Sequence, residues 1–231
     1  SQLCFDNTFQ GSVAALFARD ELLHSNAAVI RNDDSIYSMQ LAEDFIRKFR
    51  SIGGSITGSY SLKELAGNEA NVISSLRNQG TDLLYLPIDA RNVIALKKMV
   101  TEKGWKPDVM VGDGVLSTAV SQYPGMLEHL QGVYTTDFFT SDTPHTPYIS
   151  NLIDRYNSLF DRSGTSYTLL GIEGYQLLYQ AMNRCKQPSD RECINRMIRS
   201  TTNMRGISGR ISIGADGKAQ RPLYVNSIQD G

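Results

Sequence analysis

The chain has 231 residues, room for one large domain or two small ones, and its 41% hydrophobic and 20% charged content is that of an ordinary globular protein able to bury a sizeable core. With 23 basic against 24 acidic residues and no long run of like charge, it carries no electrostatic footprint for nucleic acid or for an anionic membrane. Its longest apolar stretches, Leu83 to Ile88 and Val109 to Val111, fall far short of the roughly 20 residues that span a bilayer.

The N-terminus, Ser1-Gln2-Leu3-Cys4-Phe5, lacks the basic-then-apolar plan of a signal peptide, so any targeting segment is expected to have been removed or to lie upstream. Apolar positions at helical spacing predict a helix over Ser12 to Leu23, followed by a short buried strand at Ala27-Ala28-Val29-Ile30. A polar turn, Arg31 to Ser35, leads to a second helix that Gly53-Gly54 stops. Ser55 to Tyr60 alternates as a strand does, and Asn71 to Gln79 reads as a helix closed at Gly80.

Asp82 to Pro87 is continuously apolar in its middle, the pattern of a strand covered on both faces in a parallel sheet. A helix over Arg91 to Lys103, a strand over Pro107 to Gly112, the loop Gly112-Asp113-Gly114 and a weaker helix near Thr118 follow. Gln131 to Phe139 is a last extended segment. Strand and helix in alternation give an α/β fold, and residues 1–140 are expected to form one doubly wound, parallel-sheet lobe with helices on both faces.

Ser141 to Pro147 holds two prolines among polar residues and reads as a domain crossing, which makes 141–231 a second region. Helices are predicted over Tyr148 to Arg162, Leu169 to Cys185 and Arg191 to Ser200, then two strands over Gly206 to Ile228 joined by a turn at Gly214 to Lys218. Cys185 and Cys193 bracket a polar, proline-containing turn between two helices, where a disulfide has short loop closure; two unrelated thiols are the alternative. Cys4 has no obvious partner in the sequence.

The order of these motifs resembles the type I periplasmic solute-binding proteins, and within them the branched-chain amino-acid-binding group. The resemblance rests on Phe5-Asp6-Asn7 and Gln10-Gly11 ahead of the first helix, Ala28-Val29-Ile30 with Tyr37 opening the next helix, and Gly53-Gly54 before a strand. It continues through Thr81-Asp82-Leu83-Leu84-Tyr85, Gly112-Asp113-Gly114, the Gly-Val-Tyr of residues 132–134, and Gly206 to Gly217. It implies two lobes that close on a ligand, residues of about 5–138 forming the second lobe. Helices near 146–200 would be an incomplete first lobe, because such proteins carry on the order of a hundred residues more upstream.

That shortfall predicts exposed apolar stripes on the helices at 149–162 and 169–185, at Ile149, Leu152, Ile153, Leu159, Leu177 and Leu178. The expected remedies are a homodimer, rearranged helices or a complementary fragment.

The resemblance also implies a site: a tyrosine after the first strand's loop, a residue on the loop after a later strand, and a carboxylate beyond the next. In this sequence those positions are Tyr37, Asp89 and Asp113, each at the carboxyl end of a predicted parallel strand, where open α/β sheets place ligands. Asp113 between glycines is suited to accept hydrogen bonds from an ammonium group; a turn aspartate bonding its own backbone is the plainer alternative. Asp89 stands where a bulky aromatic is usual in that group, which favours a more polar or cationic ligand. Asn32 and Arg91 are neighbouring candidates.

Catalytic readings lack support. His24, His129 and His145 have no metal-ligand spacing and read as solvated, as do the adjacent acids Asp33-Asp34 and Glu43-Asp44. The resemblance implies a periplasmic or extracellular solute-binding protein, and the expectation is one without cofactor or catalysis. It would hold an amino acid or similar polar solute for a membrane permease of an ABC-type importer. A receptor ectodomain of the same fold is the near alternative, and a doubly wound enzyme the distant one.

Overall fold

Ala27 to Ile30, Leu83 to Leu86 and Val109 to Val111 are buried at every position, because a strand in the middle of a parallel sheet sends alternate side chains into two cores. In the computed structural model, which describes residues 1–140, 147–161 and 164–229, these runs are the central strands of a six-stranded sheet. Residues 141–146 of the expected connector, His145 among them, and Arg162 lie outside the described residues.

The sheet has β1 (Asn26–Arg31), β2 (Ser55–Ser61), β3 (Leu83–Leu86), β4 (Asp108–Val111), β5 (Val133–Asp137) and β9 (Tyr224–Ser227) in the order β2-β1-β3-β4-β5-β9. The pairs from β2 to β5 are parallel, with a register shift between Ala27 and Ala28. One face carries Ala27, Val29, Leu83, Tyr85 and Met110 against α1 (Asn7–Asp20) and α2 (Ile36–Ser51). The other carries Ala28, Ile30, Leu84, Leu86, Val109 and Val111. It packs on α4 (Glu69–Asn78), α5 (Ala90–Glu102) and α6 (Val115–Gln122). A short helix, α3 (Leu62–Leu65), held by a Ser61–Glu64 capping box, and a 3-10 segment at Pro124–Leu130 complete this unit, which comprises residues 7–136 and those from Val225 onward.

The first helix begins at Asn7, five residues before the apolar stripe suggested, so Gln10 and Gly11 lie inside it. Its buried face is made of small and polar residues, Gln10, Gly11, Ala14, Ala15 and Ala18, which a count of large apolar side chains does not register. The small face permits close approach to α2: a Cβ at Gly11 would lie 2.9 Å from the Asp44 Cβ and 3.0 Å from the Leu41 carbonyl.

The second unit comprises Ser1–Asp6 and Asp137–Tyr224. It contains α7 (Pro147–Phe160), α8 (Ser166–Asn183), α9 (Arg191–Arg199) and a three-stranded antiparallel sheet of β6 (Met204–Gly206), β7 (Gly209–Ile213) and β8 (Ala219–Gln220). The C-terminal segment is thus four short strands and not two. Gly206 pairs with Gly209 across a tight turn in which Gly209 takes φ of +119°, and the Gly214–Lys218 turn joins β7 to β8.

Of the stripe residues expected to be exposed, Ile149 and Leu177 are buried, against Ile207 and Leu169 in one cluster and Ile211 and Met204 in another. Leu159 and Leu178 are exposed, together with Tyr148, Phe160, Tyr167, Tyr175 and Tyr179. Within this unit Arg221 and Glu173 form a buried ion pair, Nη2 to Oε2 at 2.9 Å, and the Ser208 N–H and hydroxyl donate to Glu173 Oε1 at 2.9 and 3.1 Å. Cys185 and Cys193 are joined as a disulfide between α8 and α9.

Candidate ligand-binding site

The strand order makes the chain leave β1 for the edge strand β2 and return to β3, so connections run in opposite directions from β1 and β3. Such a reversal leaves a crevice at the carboxyl ends of the strands, where the backbone parts and ligands bind. Tyr37 stands in the first turn of α2 after β1, Asp89 follows β3, Asp113 follows β4 and Thr136 is the penultimate residue of β5.

A polar cluster forms there. The Tyr37 hydroxyl donates to Asp113 Oδ1 at 2.6 Å. Gln10, itself buried in α1, sends one N–H to the same Oδ1 at 2.8 Å and the other to Thr136 Oγ1 at 2.7 Å. These two donors are neutral and fix the position of the carboxylate. The Thr135 hydroxyl donates to the Gly112 carbonyl at 3.0 Å and pins the loop that carries Asp113.

Tyr37 titrates well above the ordinary phenol range, chiefly because it is buried and next because the Asp113 charge beside it opposes a second negative charge. It therefore remains a protonated donor at any physiological pH. Burial raises Tyr85 in the same way, with Asp113 and then Asp44 adding to the effect.

Tyr37 and Asp113 thus meet directly, whereas Asp89 and Asn32 bond to neighbours in their own turns. Asp89 is exposed and caps α5, accepting from the Asn92 N–H at 3.1 Å and from Asn92 Nδ2 at 2.6 Å. The Asn32 side chain accepts from the Asp34 N–H at 3.0 Å, shaping the turn after β1, and Arg91 is exposed on the first turn of α5. Gln10 and Thr136 were absent from the sequence-derived set. The Gln10-Gly11 pair was the available signal, but a polar residue on a helix carries no mark of burial until its partner is known.

Two of the residues read as solvated are not. His24 Nε2 lies 2.7 Å from Asp108 Oδ2, an acid 84 positions away in sequence that the fold brings to it. Asp44 is 6% exposed and paired with Arg47, because α1 packs over it at Gly11. Among the described residues no group of three or more histidine, cysteine, aspartate or glutamate side chains is arranged to hold a metal ion. No described helix is long and apolar enough to cross a membrane.

Residues 3–231 match the family model for periplasmic binding proteins. The chain belongs to that family. No curated protein matches it. Its fold resembles that of a leucine-binding protein, LivK, from Thermotoga maritima, with a TM-score of 0.85 and 24% identity, over 100% of this chain and 65% of that one. It also resembles a branched-chain amino-acid transporter substrate-binding protein, LivJ, from Streptococcus pneumoniae, solved with isoleucine, at TM-score 0.81 and 16% identity over 97% and 63% of the two chains. A solute-binding protein of an ABC transporter from R. palustris, solved with benzoate, aligns at TM-score 0.79 and 12% identity over 98% and 61%. This periplasmic binding protein chain therefore has the type I fold and spans less than two thirds of the length of those neighbours.

Proposed function

We propose that this chain forms one ligand-holding lobe and part of the other lobe of an extracytoplasmic solute-binding protein, which delivers an amino acid or similar polar solute to the permease of an ABC-type importer. The observation that carries the reading is the Asp113 carboxylate, oriented by Tyr37 and Gln10 at the carboxyl ends of the parallel strands. A carboxylate at that place is complementary to the ammonium group of an amino acid. Neighbours of the same fold were solved with isoleucine and with benzoate, so the fold itself accommodates both amino-acid and aromatic carboxylate ligands. The disulfide suits an oxidising compartment, which supports a periplasmic or extracellular location.

The test is a calorimetric and thermal-shift screen of the full-length protein against amino acids, repeated with Asp113→Asn. A ligand that binds the native state raises the unfolding temperature by mass action. The variant is expected to lose at least a hundredfold in affinity, the weight of a charge-assisted contact in a partly desolvated site, about 3 kcal/mol. Equal stabilisation of wild type and variant by the same amino acid would move the site elsewhere.

A further inference from the structure

Helix α9 has nine residues, fewer than the roughly 12–15 that a helix needs to persist by itself in water. Tertiary packing ordinarily supplies the difference, yet no residue of α9 is buried. Ile198 touches the apolar cluster of Leu177, Met204 and Ile211 while staying partly exposed. Toward its C-terminal end the helix stands off from α8 across a cleft of about 260 Å³, whose lining includes Gln180, Arg184, Ser200, Thr202 and Arg205.

Polar contacts add little. Among the described residues no ion pair includes an α9 side chain. Arg199 Nη1 donates to the Ala215 carbonyl at 2.9 Å from an exposed position. Arg191, at the start of the helix, opposes its dipole, and Arg196 and Arg199, three positions apart, repel each other. The Asp190 cap accepts from the Cys193 N–H at 3.0 Å, which starts the helix without attaching it to another element.

Attachment is therefore concentrated at two points. Beyond the helix the Ile213 N–H donates to the Thr201 carbonyl at 2.9 Å, so the chain rejoins the small sheet there. Before it, Cys193 in the first turn is bonded to the buried Cys185 just past the end of α8. Residues 186–192 between the two cysteines are exposed throughout.

We propose that the Cys185–Cys193 bond is a redox latch: it keeps α9 docked, and its reduction by a dithiol releases residues 186–200 as a mobile segment while the parallel sheet stays folded. A thiolate of the dithiol attacks Sγ of Cys193, the more exposed of the two residues, forming a mixed disulfide; the Cys185–Cys193 bond breaks and Cys185 leaves as a thiolate that takes a proton. The second thiol then displaces Cys193, which takes a proton in turn, and the dithiol closes into its own disulfide. Two electrons pass to the protein, which loses one S–S bond and gains two S–H bonds. The latch does not involve Asp113 and does not depend on what binds there.

The test is amide hydrogen exchange of the full chain, followed by mass spectrometry with and without dithiothreitol, with thiol alkylation to verify that the bond has opened. Protection over residues 191–199 should fall about a hundredfold on reduction, the weight of a loop closed across eight positions. Protection over β1 and β3 should change less than about twofold. Trypsin should cut after Arg191 and Arg196 at least about tenfold faster in the reduced chain. Cys185→Ala combined with Cys193→Ala should behave as the reduced chain does, and dithiothreitol should change it no further. The proposal is overturned if α9 is unprotected in the oxidised chain, if it keeps its protection on reduction or in the double variant, or if β1 and β3 lose protection to the same extent.

Discussion

The Tyr37 hydroxyl reaches the Asp113 carboxylate across a space that exists because residue 112 is glycine. A Cβ at that position would overlap the Tyr37 hydroxyl oxygen and crowd Leu41 Cδ1 at 3.2 Å. Gly112→Ala should therefore push the phenol off Asp113 while leaving the sheet intact, with stability lower by about 1–3 kcal/mol, the usual effect of overpacking. Calorimetry against whichever amino acid stabilises the wild type should show a loss of affinity similar to that of Tyr37→Phe. An alanine variant that binds as the wild type does would disconnect Tyr37 from ligand capture.

The α1–α2 contact gives a sharper comparison between two glycines. Gly11→Ala would bring its methyl within 2.9–3.1 Å of Asp44, Leu41 and Phe45 atoms and should lower the unfolding midpoint, by about 1–3 kcal/mol. Gly171, inside α8, faces open space, so Gly171→Ala should raise stability by up to about 1 kcal/mol through helix propensity alone. Urea titration of both variants checks the opposite signs.

Burial of Tyr37 and Tyr85 links stability to alkaline pH. Both hydroxyls titrate higher in the folded chain than in the unfolded one, so their contribution is fully present below the unfolded tyrosine value of about 10 and falls as pH rises above it. Between pH 7 and 9 these groups should add no slope to the stability profile. Beyond pH 10 the unfolded chain releases protons that the native chain keeps, and stability should fall. Tyr85→Phe, which removes one such group, should flatten that alkaline decline; an unchanged profile in the variant would assign the decline to other groups.

Arg221 and Glu173 are buried as a pair, and breaking it from one side should be costly. Arg221→Met leaves the Glu173 carboxylate in a low-dielectric interior, an effect of about 3–5 kcal/mol, whereas the double variant with Glu173→Leu should recover most of that. Denaturation of the two single variants and the double variant measures the coupling directly.

Tyr148, Leu159, Phe160, Tyr175, Leu178 and Tyr179 on α7 and α8 all face water, and exposed large apolar groups favour association. The 231-residue chain on its own should self-associate with rising concentration in light scattering, and Leu159→Lys with Leu178→Lys should reduce it. A monomer at all concentrations would show that these groups tolerate solvent unaided.

Legibility in the sequence followed the physics of burial. β1, β3 and β4 were readable because strands with two covered faces must be apolar throughout, and the glycines at 53, 80 and 104 marked helix ends through their positive φ. Resemblance pointed to Tyr37 and Asp113, and the fold brings the two into hydrogen-bond contact. The start of α1, Gln10, Asp44 and the His24–Asp108 pair were not, because a buried polar side chain differs from a solvated one only in its partner, which the fold supplies from far along the chain. The split of the C-terminal region into four strands was missed for a related reason: strands of two to five residues are too short to display alternation.

β9 lies beside β5, so the sheet of the first unit ends on a strand made some ninety positions after its neighbour. During vectorial synthesis β5 emerges with a bare row of backbone donors and acceptors and keeps it until residue 227 has followed. Throughout that interval the growing chain offers a template for pairing with other chains. Tyr224–Ser227 is thus the segment that closes the β5 edge, and a chain cut before it would leave that edge open to strand addition.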